Sequence, residues 1–125
     1  CKKGCSERNK DIFKDYYFED LSLKERNELI KSNPKYGHII CKCEYVSEQE
    51  ILDVLNRSCP PHSIKALKKR VRAGFGRCQG GMCQPSVLNI LASYYNVDVK
   101  DVNYDDLGTN IIDEVSDKSL LTSLA

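Results

Sequence analysis

This sequence has few histidines, no long apolar run and almost no excess of charge of either sign. The 125 residues include two histidines, and no serine, histidine and aspartate occur in a recognisable catalytic setting, so the chain by itself is not expected to be a catalyst. No apolar run approaches the roughly 20 residues that span a bilayer, so no transmembrane segment is predicted. The formal net charge of +1 predicts no global attraction to nucleic acid or to a membrane surface.

The composition is that of a folded domain. Hydrophobic residues make up 41% of the chain and charged residues 30%, which argues against wholesale disorder. The chain begins at Cys1 rather than at a methionine, which favours a piece excised from a longer protein. No secretory signal is recognised, and we expect a cytoplasmic location, either free or peripheral to the membrane through a parent complex.

Cysteine is the residue present in unusual number. An odd count of seven argues against a closed disulfide framework and favours metal binding or redox chemistry. Cys41 and Cys43 form a C-x-C pair, and Cys78 and Cys83 form a C-x4-C pair. Two such pairs can supply four convergent thiolates. No role is assigned to Cys1, Cys5 and Cys59, and Cys59 is expected to be a buried small apolar residue.

The pattern of capping residues predicts a mainly α-helical fold. Helix starts are predicted near Ser22, Ser47, Ser63 and Pro85. The stretch "HIICKCEYV" is interpreted as an extended loop that carries the first cysteine pair, and Gly74 as the left-handed residue that terminates the third helix. The predicted organisation is an N-terminal lead-in (1–19), a small helical domain (20–96) and an acidic C-terminal extension (97–125).

The glycine-rich stretch "RAGFGRCQGGMC" at 72–83 has three interpretations: a phosphate-binding loop, a metal site, or a helix–helix turn with incidental cysteines. The turn alone would not explain the second close pair at Cys41 and Cys43. A phosphate-binding loop is disfavoured because the glycines follow a helix rather than a strand, and no Walker lysine or βαβ pattern accompanies them. In a metal site, glycines let backbone N–H groups approach the thiolate sulfurs closely. Arg72 and Arg77 would bring positive charge to such an anionic site. Either arginine could instead pair with a carboxylate such as Glu44.

Thiolate spacing alone leaves the metal open. Four cysteines suit tetrahedral zinc as well as an iron–sulfur cluster. The glycine-dense second loop favours the larger, bridged cluster, while recombinant material could carry zinc instead. The alternative to a redox function is therefore a structural zinc-binding or interaction domain.

The motifs "CKCEYVSEQEI" and "RAGFGRCQGGMC" resemble the two halves of the cysteine motif in bacterioferritin-associated ferredoxin-like [2Fe–2S] domains. The free-standing ferredoxins of that group have C-x-x-C as the second pair, so the C-x4-C here is more similar to the branch appended to FAD-dependent dehydrogenases. That branch includes anaerobic-type glycerol-3-phosphate dehydrogenases and related amine or opine oxidases. The resemblance covers roughly residues 20–95 and is strongest around the cysteines.

The resemblance implies an electron-transfer function. It implies a compact helical domain whose two cysteine loops converge on one [2Fe–2S] cluster, with the FAD and substrate sites in a part absent from this chain. The implied partners are the flavin domain of the same polypeptide and another redox subunit or carrier. The implied cluster ligands are Cys41, Cys43, Cys78 and Cys83.

The remaining conspicuous features are given simpler interpretations. The basic run from Lys65 to Arg77 contains no acidic residue and is either a solvated helix face or a docking face for an acidic electron partner. No nucleic-acid partner is expected. His38 is interpreted as a loop residue rather than as a metal ligand.

Overall fold

The computed structural model describes residues 18–113, from Phe18 to Asp113. The helices are α1 (Leu23–Ser32), α2 (Glu48–Leu55), α3 (Ile64–Val71) and α4 (Gln84–Tyr95). The strands are β1 (Ile39–Cys41) and β2 (Val46–Ser47), and short 3-10 helices form at Phe18–Asp20, Pro34–Tyr36 and Val99–Asp101. The mainly α-helical prediction is confirmed, with a small sheet added. Cys1, Cys5 and most of the predicted lead-in lie outside the described residues.

The helix starts follow the predicted capping residues. Ser22 with Glu25 and Ser47 with Glu50 form complete capping boxes, in which each side chain bonds the other residue's backbone N–H. The Ser63 hydroxyl accepts a hydrogen bond from the Ala66 N–H at the start of α3. These local signals succeed because they satisfy N–H groups that have no partner inside the helix.

Two local predictions are wrong. The stretch "HIICKCEYV" is a short antiparallel hairpin rather than an extended loop, with Cys41 paired to Val46 and an irregularity in register between Ile39 and Cys41. The left-handed residue that ends α3 is Arg72, at φ 63°, two residues before Gly74. Gly74 also has positive φ, so it continues the turn that Arg72 begins.

The core lies between α2, α3 and α4 and excludes water almost completely. Its most buried large side chains, each below 2% exposed, are Ile51, Leu55, Ile64, Leu67 and Leu91. Val102 adds to this core from beyond α4. The carbonyls of Asn103 and Tyr104 accept hydrogen bonds from the first N–H groups of α3. Two of the core helices, α3 and α4, lie on either side of the stretch that carries the second cysteine pair. The predicted boundary at residue 96 stays a prediction.

Replacing Ser47 by alanine is expected to lower the free energy of unfolding by about 1–2 kcal/mol. Ser47 is fully buried, and Glu50, which completes its capping box, also accepts a hydrogen bond from the Phe18 N–H. Urea denaturation would measure the loss. Ser22→Ala is the matched control, since the same box on exposed α1 should contribute less. Equal losses in both variants would contradict the account.

Candidate metal centre

The first cysteine loop is the turn of the β1–β2 hairpin. Cys41 ends β1 and is 1% exposed, whereas Cys43, in the turn, is exposed. Tyr45 has φ 50°, a left-handed conformation that is uncommon for a residue with a side chain. The hairpin is tied to α2 by a hydrogen bond of 2.8 Å from the Glu48 N–H to the His38 carbonyl. One cysteine of this pair therefore faces the core and the other faces solvent.

The second cysteine loop joins α3 to α4. Cys83 precedes α4 at its N-cap position and is 2% exposed, while Cys78 is half-buried. Two residues next to Cys78, Gln79 and Gly80, have positive φ. The Gln79 side-chain amide donates to the Gly76 carbonyl at 2.9 Å, which closes the turn that contains Cys78. This loop also presents one buried and one more accessible thiol.

Gly76 lets the two loops touch. A Cβ at this position would lie 2.1 Å from the Cβ of Cys43, well inside any permitted contact. The glycine at 76 is therefore required by the close approach of the second loop to Cys43 rather than by backbone conformation.

The four cysteines meet as two pairs. The Sγ atoms of Cys43 and Cys78 are 3.7 Å apart. After burial itself, the buried Cys41 is the neighbouring thiol that contributes most to raising the pKa of Cys83. The first pair is the accessible one and the second lies in the core. Each pair joins one cysteine from each loop, which spacing along the chain could not reveal.

The two cysteines of the second loop have opposite electrostatic environments. Backbone N–H groups of Met82 and Gly80, with the Cys43 thiol, hold the pKa of Cys78 below its usual value. Burial, together with the neighbouring Cys41, raises the pKa of Cys83 to about 11. Positioned N–H donors stabilise a thiolate, whereas an apolar surrounding penalises it. A negative charge is therefore stabilised better on Cys78 than on Cys83.

An ion pair links the two loops. Arg72 Nε lies 3.4 Å from Glu44 Oε2, with the arginine side chain 65% exposed. The Lys68 ammonium lies 5.1 Å from the centre of the Phe75 ring. The prediction that an arginine could pair with Glu44 is thus confirmed for Arg72 by this ion pair.

The other candidate residues lie apart from the four thiols. His38 pairs with Glu48 through Nδ1 at 2.8 Å, as fits a loop residue. Cys59 is exposed, so the expectation of a buried small apolar residue is wrong: it follows α2 in a turn rather than packing beneath it. The sequence analysis did not single out Gln79. Its position directly after Cys78 was the signal that could have indicated it.

A gathered set of ligands for one metal ion and a membrane-spanning helix are both absent from residues 18–113. No three histidine, cysteine, aspartate or glutamate side chains there are gathered as the ligands of one metal ion would be. The convergence of all four cysteines on one cluster stays a prediction. No helix among these residues has the length and apolar character needed to cross a bilayer.

Comparison with known proteins identifies the motif. Residues 39–93 match the model of the BFD-like [2Fe-2S] binding domain. A glycerol 3-phosphate dehydrogenase of Caloramator mitchellensis is 43% identical over 95 residues, which are 76% of this chain and 20% of that protein. An opine oxidase subunit of Rhizobium meliloti (strain 1021) is 33% identical over 72 residues, 57% of this chain and 15% of the relative.

A third relative agrees with these two. It belongs to the anaerobic glycerol-3-phosphate dehydrogenase of Haloferax volcanii and is 32% identical over 85 residues, 68% of this chain and 14% of the relative. The chain thus spans a fifth or less of each of these curated relatives. No solved structure matches. The stretch that resembles the BFD-like [2Fe-2S] binding domain family, residues 39–93, contains both cysteine pairs.

Proposed function

We propose that this chain is the [2Fe–2S]-binding electron-transfer domain of a longer FAD-dependent oxidoreductase resembling glycerol-3-phosphate dehydrogenase. The observation that carries the proposal is the approach of Cys43 and Cys78 to 3.7 Å, with Cys41 and Cys83 buried in the core, inside the segment that matches the [2Fe-2S] binding domain. The relatives' names supply the substrate class. The flavin and substrate sites would belong to the rest of the longer protein.

The donor set of four cysteines suits both a bridged cluster and a single zinc ion, and the match to the [2Fe-2S] binding domain favours the cluster. Tetrahedral zinc, with Zn–S bonds of about 2.3 Å, brings all four sulfurs within roughly 4 Å of one another. Two pairs of neighbouring thiols, each joining one cysteine of each loop, would also suit two irons that each take two thiolates. The proposed ligands are Cys41, Cys43, Cys78 and Cys83.

The chain's own residues would prepare the centre in three ways. The N–H groups of Met82 and Gly80 point at Cys78 Sγ and stabilise negative charge on it. The core around Cys41 and Cys83 excludes water, which limits hydrolytic loss of a bound cluster. The ion pair of Arg72 with Glu44 holds the loops together. When bound, the cluster supplies one-electron oxidation and reduction.

The proposed partners are a flavin domain and a further redox subunit or carrier. A reduced flavin holds two electrons, so a one-electron centre beside it would pass them on singly. The proposed location is the cytoplasm, or its membrane surface through a parent complex.

Visible absorption of the anaerobically purified or reconstituted chain tests this function. We expect a brown protein whose charge-transfer bands bleach on addition of dithionite. A colourless protein that binds zinc and gains no visible absorption on reconstitution with iron and sulfide would instead support the structural zinc domain.

The Arg77→Gln variant is expected to lower the cluster's reduction potential by tens of millivolts. Arg77 is exposed and adjacent to Cys78, and a nearby cation stabilises the more negative, reduced state. At an effective dielectric constant of about 20, a unit charge several ångströms away contributes on the order of 2 kcal/mol, which solvent and salt reduce. For a one-electron couple, about 1.4 kcal/mol corresponds to 59 mV. Protein-film voltammetry would measure the shift.

Arg72→Gln separates charge from loop attachment. This change removes a cation and also breaks the pair with Glu44, so we expect a lower potential together with a slightly lower melting temperature. Glu44→Gln is the matched control: it breaks the same pair but should not lower the potential. Unchanged potentials in both arginine variants, with melting temperatures that fall, would mean that the arginines only hold the loops.

A further inference from the structure

Three large hydrophobic side chains of the cysteine loops are exposed to solvent. Tyr45 is 50% exposed, Phe75 49% and Met82 76%. Such side chains are costly to leave in water, and grouped exposure marks contact surfaces more often than isolated exposure does. All three belong to loops that carry the thiols rather than to the helices behind them.

These side chains belong to residues that lie close to the accessible thiol pair along the two loops. Tyr45 follows Cys43 by two residues, and Phe75 precedes Gly76, the residue that packs on Cys43. Met82 directly precedes Cys83 in the second loop, and its backbone N–H is the largest cause of the lowered pKa of Cys78. We refer to Tyr45, Phe75 and Met82 as the apolar rim. The opposite pair, Cys41 and Cys83, lies in the core. Since electron tunnelling weakens steeply with distance, the short route to the centre leads through the apolar rim.

The apolar rim is flanked by positive charge. The cationic residues within or directly beside the two loops are Lys42, Lys68, Arg72 and Arg77. The paired Glu44 offsets one of them. An oxidised cluster with four thiolates carries about two negative charges, so the outer face keeps a small positive excess, carried by side chains that reach into solvent. A second copy of this chain would present the same charge and be repelled, whereas a carboxylate-bearing surface would be attracted.

We propose that the apolar rim and its flanking cations form the docking face for a flavin-bearing protein surface with an apolar centre and carboxylates around it. The inference rests on the proposed function and adds where the electron enters. Three side chains bury a small area, as is common for transient redox contacts. Such a weak contact suffices if the flavin domain is tethered in the same polypeptide, because a tether raises its effective concentration.

Stopped-flow reduction of the oxidised, cluster-loaded chain by flavodoxin hydroquinone tests the docking face, with this acidic FMN protein as the probe. We expect the second-order rate constant to fall with rising ionic strength. The double variant Phe75→Ser with Met82→Ser should react about tenfold more slowly. Reduction by dithionite, a small molecule that needs no docking face, should proceed at the same rate in both proteins.

Leu107→Ser is the matched control, and it should react like the unaltered chain. Leu107 is 93% exposed and follows Asp105, which pairs with Lys65 in the first turn of α3. Leu107 belongs to the segment after α4 and to neither cysteine loop.

Three results would overturn the inference. One is an unchanged rate in the double variant with full iron and sulfide content, and another is a rate that rises with salt. The third is concentration-dependent dimerisation in sedimentation that the double variant abolishes, which would assign the surface to a second copy. An unaltered chain that assembles no iron and sulfide would instead contradict the proposed function, and this inference with it.

Discussion

Replacing Cys78 by serine is expected to remove most of the iron and sulfide from the chain. Cys78 is the thiol whose ionised form the loop supports best, through the N–H groups of Met82 and Gly80. Its Sγ lies 3.7 Å from that of Cys43, so the change also leaves Cys43 without its neighbour. Serine at Cys41, Cys43 or Cys83 should have a comparable effect, because a hydroxyl ionises far less readily than a thiol.

Cys59→Ser is the control for this series. Cys59 is an exposed cysteine outside both loops, so its replacement should leave the iron and sulfide content unchanged. Chemical analysis of both elements, normalised to protein, would compare the variants. A full cluster in the Cys78→Ser protein would contradict the ligand assignment.

Gly76→Ala is expected to prevent the two cysteine loops from closing. The added methyl would lie 2.1 Å from Cys43 Cβ and 3.3 Å from its Sγ, so backbone must move. Overpacking of this kind costs about 1–3 kcal/mol where the surroundings can adjust. Here the displaced atoms belong to a proposed ligand, so we expect a several-fold lower cluster content. Iron and sulfide analysis beside thermal melting would measure both effects.

Gly108→Ala provides the comparison for Gly76. Gly108 has φ +83° but nothing within 4 Å of an added Cβ, so alanine there should cost about 1–2 kcal/mol of backbone strain and leave the cluster content intact. If Gly76→Ala assembled the cluster fully while Gly108→Ala did not, close approach of the loops would not be what the centre requires.

Local chemistry made part of this fold predictable. Ser47 and Glu50 start α2 as predicted because a capping box uses only neighbouring backbone N–H groups. The hairpin at Ile39–Cys41 was not predicted, because it lacks an Asn-Gly or Asp-Gly turn and its pairing depends on the burial of Val46. Arg72 was not expected to be left-handed, since glycine is favoured there. Its pair with Glu44 is a tertiary contact that no local pattern records.

The site was predictable as a set of residues but not as an arrangement. Spacing and resemblance indicated the four cysteines. Which thiol neighbours which, and which pair is accessible, depends on how the hairpin packs against the α3–α4 loop. That packing requires Gly76 beside Cys43, a contact between residues far apart in the sequence. The apolar rim was not predicted for the same reason. Phe75 and Met82 are hydrophobic residues of the kind expected in a core, and only the fold shows that they are exposed.

The central claim is that the two cysteine pairs hold one [2Fe–2S] cluster. Its most direct test is the ratio of iron, acid-labile sulfide and zinc to protein in the anaerobically reconstituted 125-residue chain. We predict about two irons and two sulfides per chain, with little zinc, as a four-cysteine binuclear cluster requires. About one zinc per chain with no sulfide, under conditions that load known iron–sulfur domains, would contradict it.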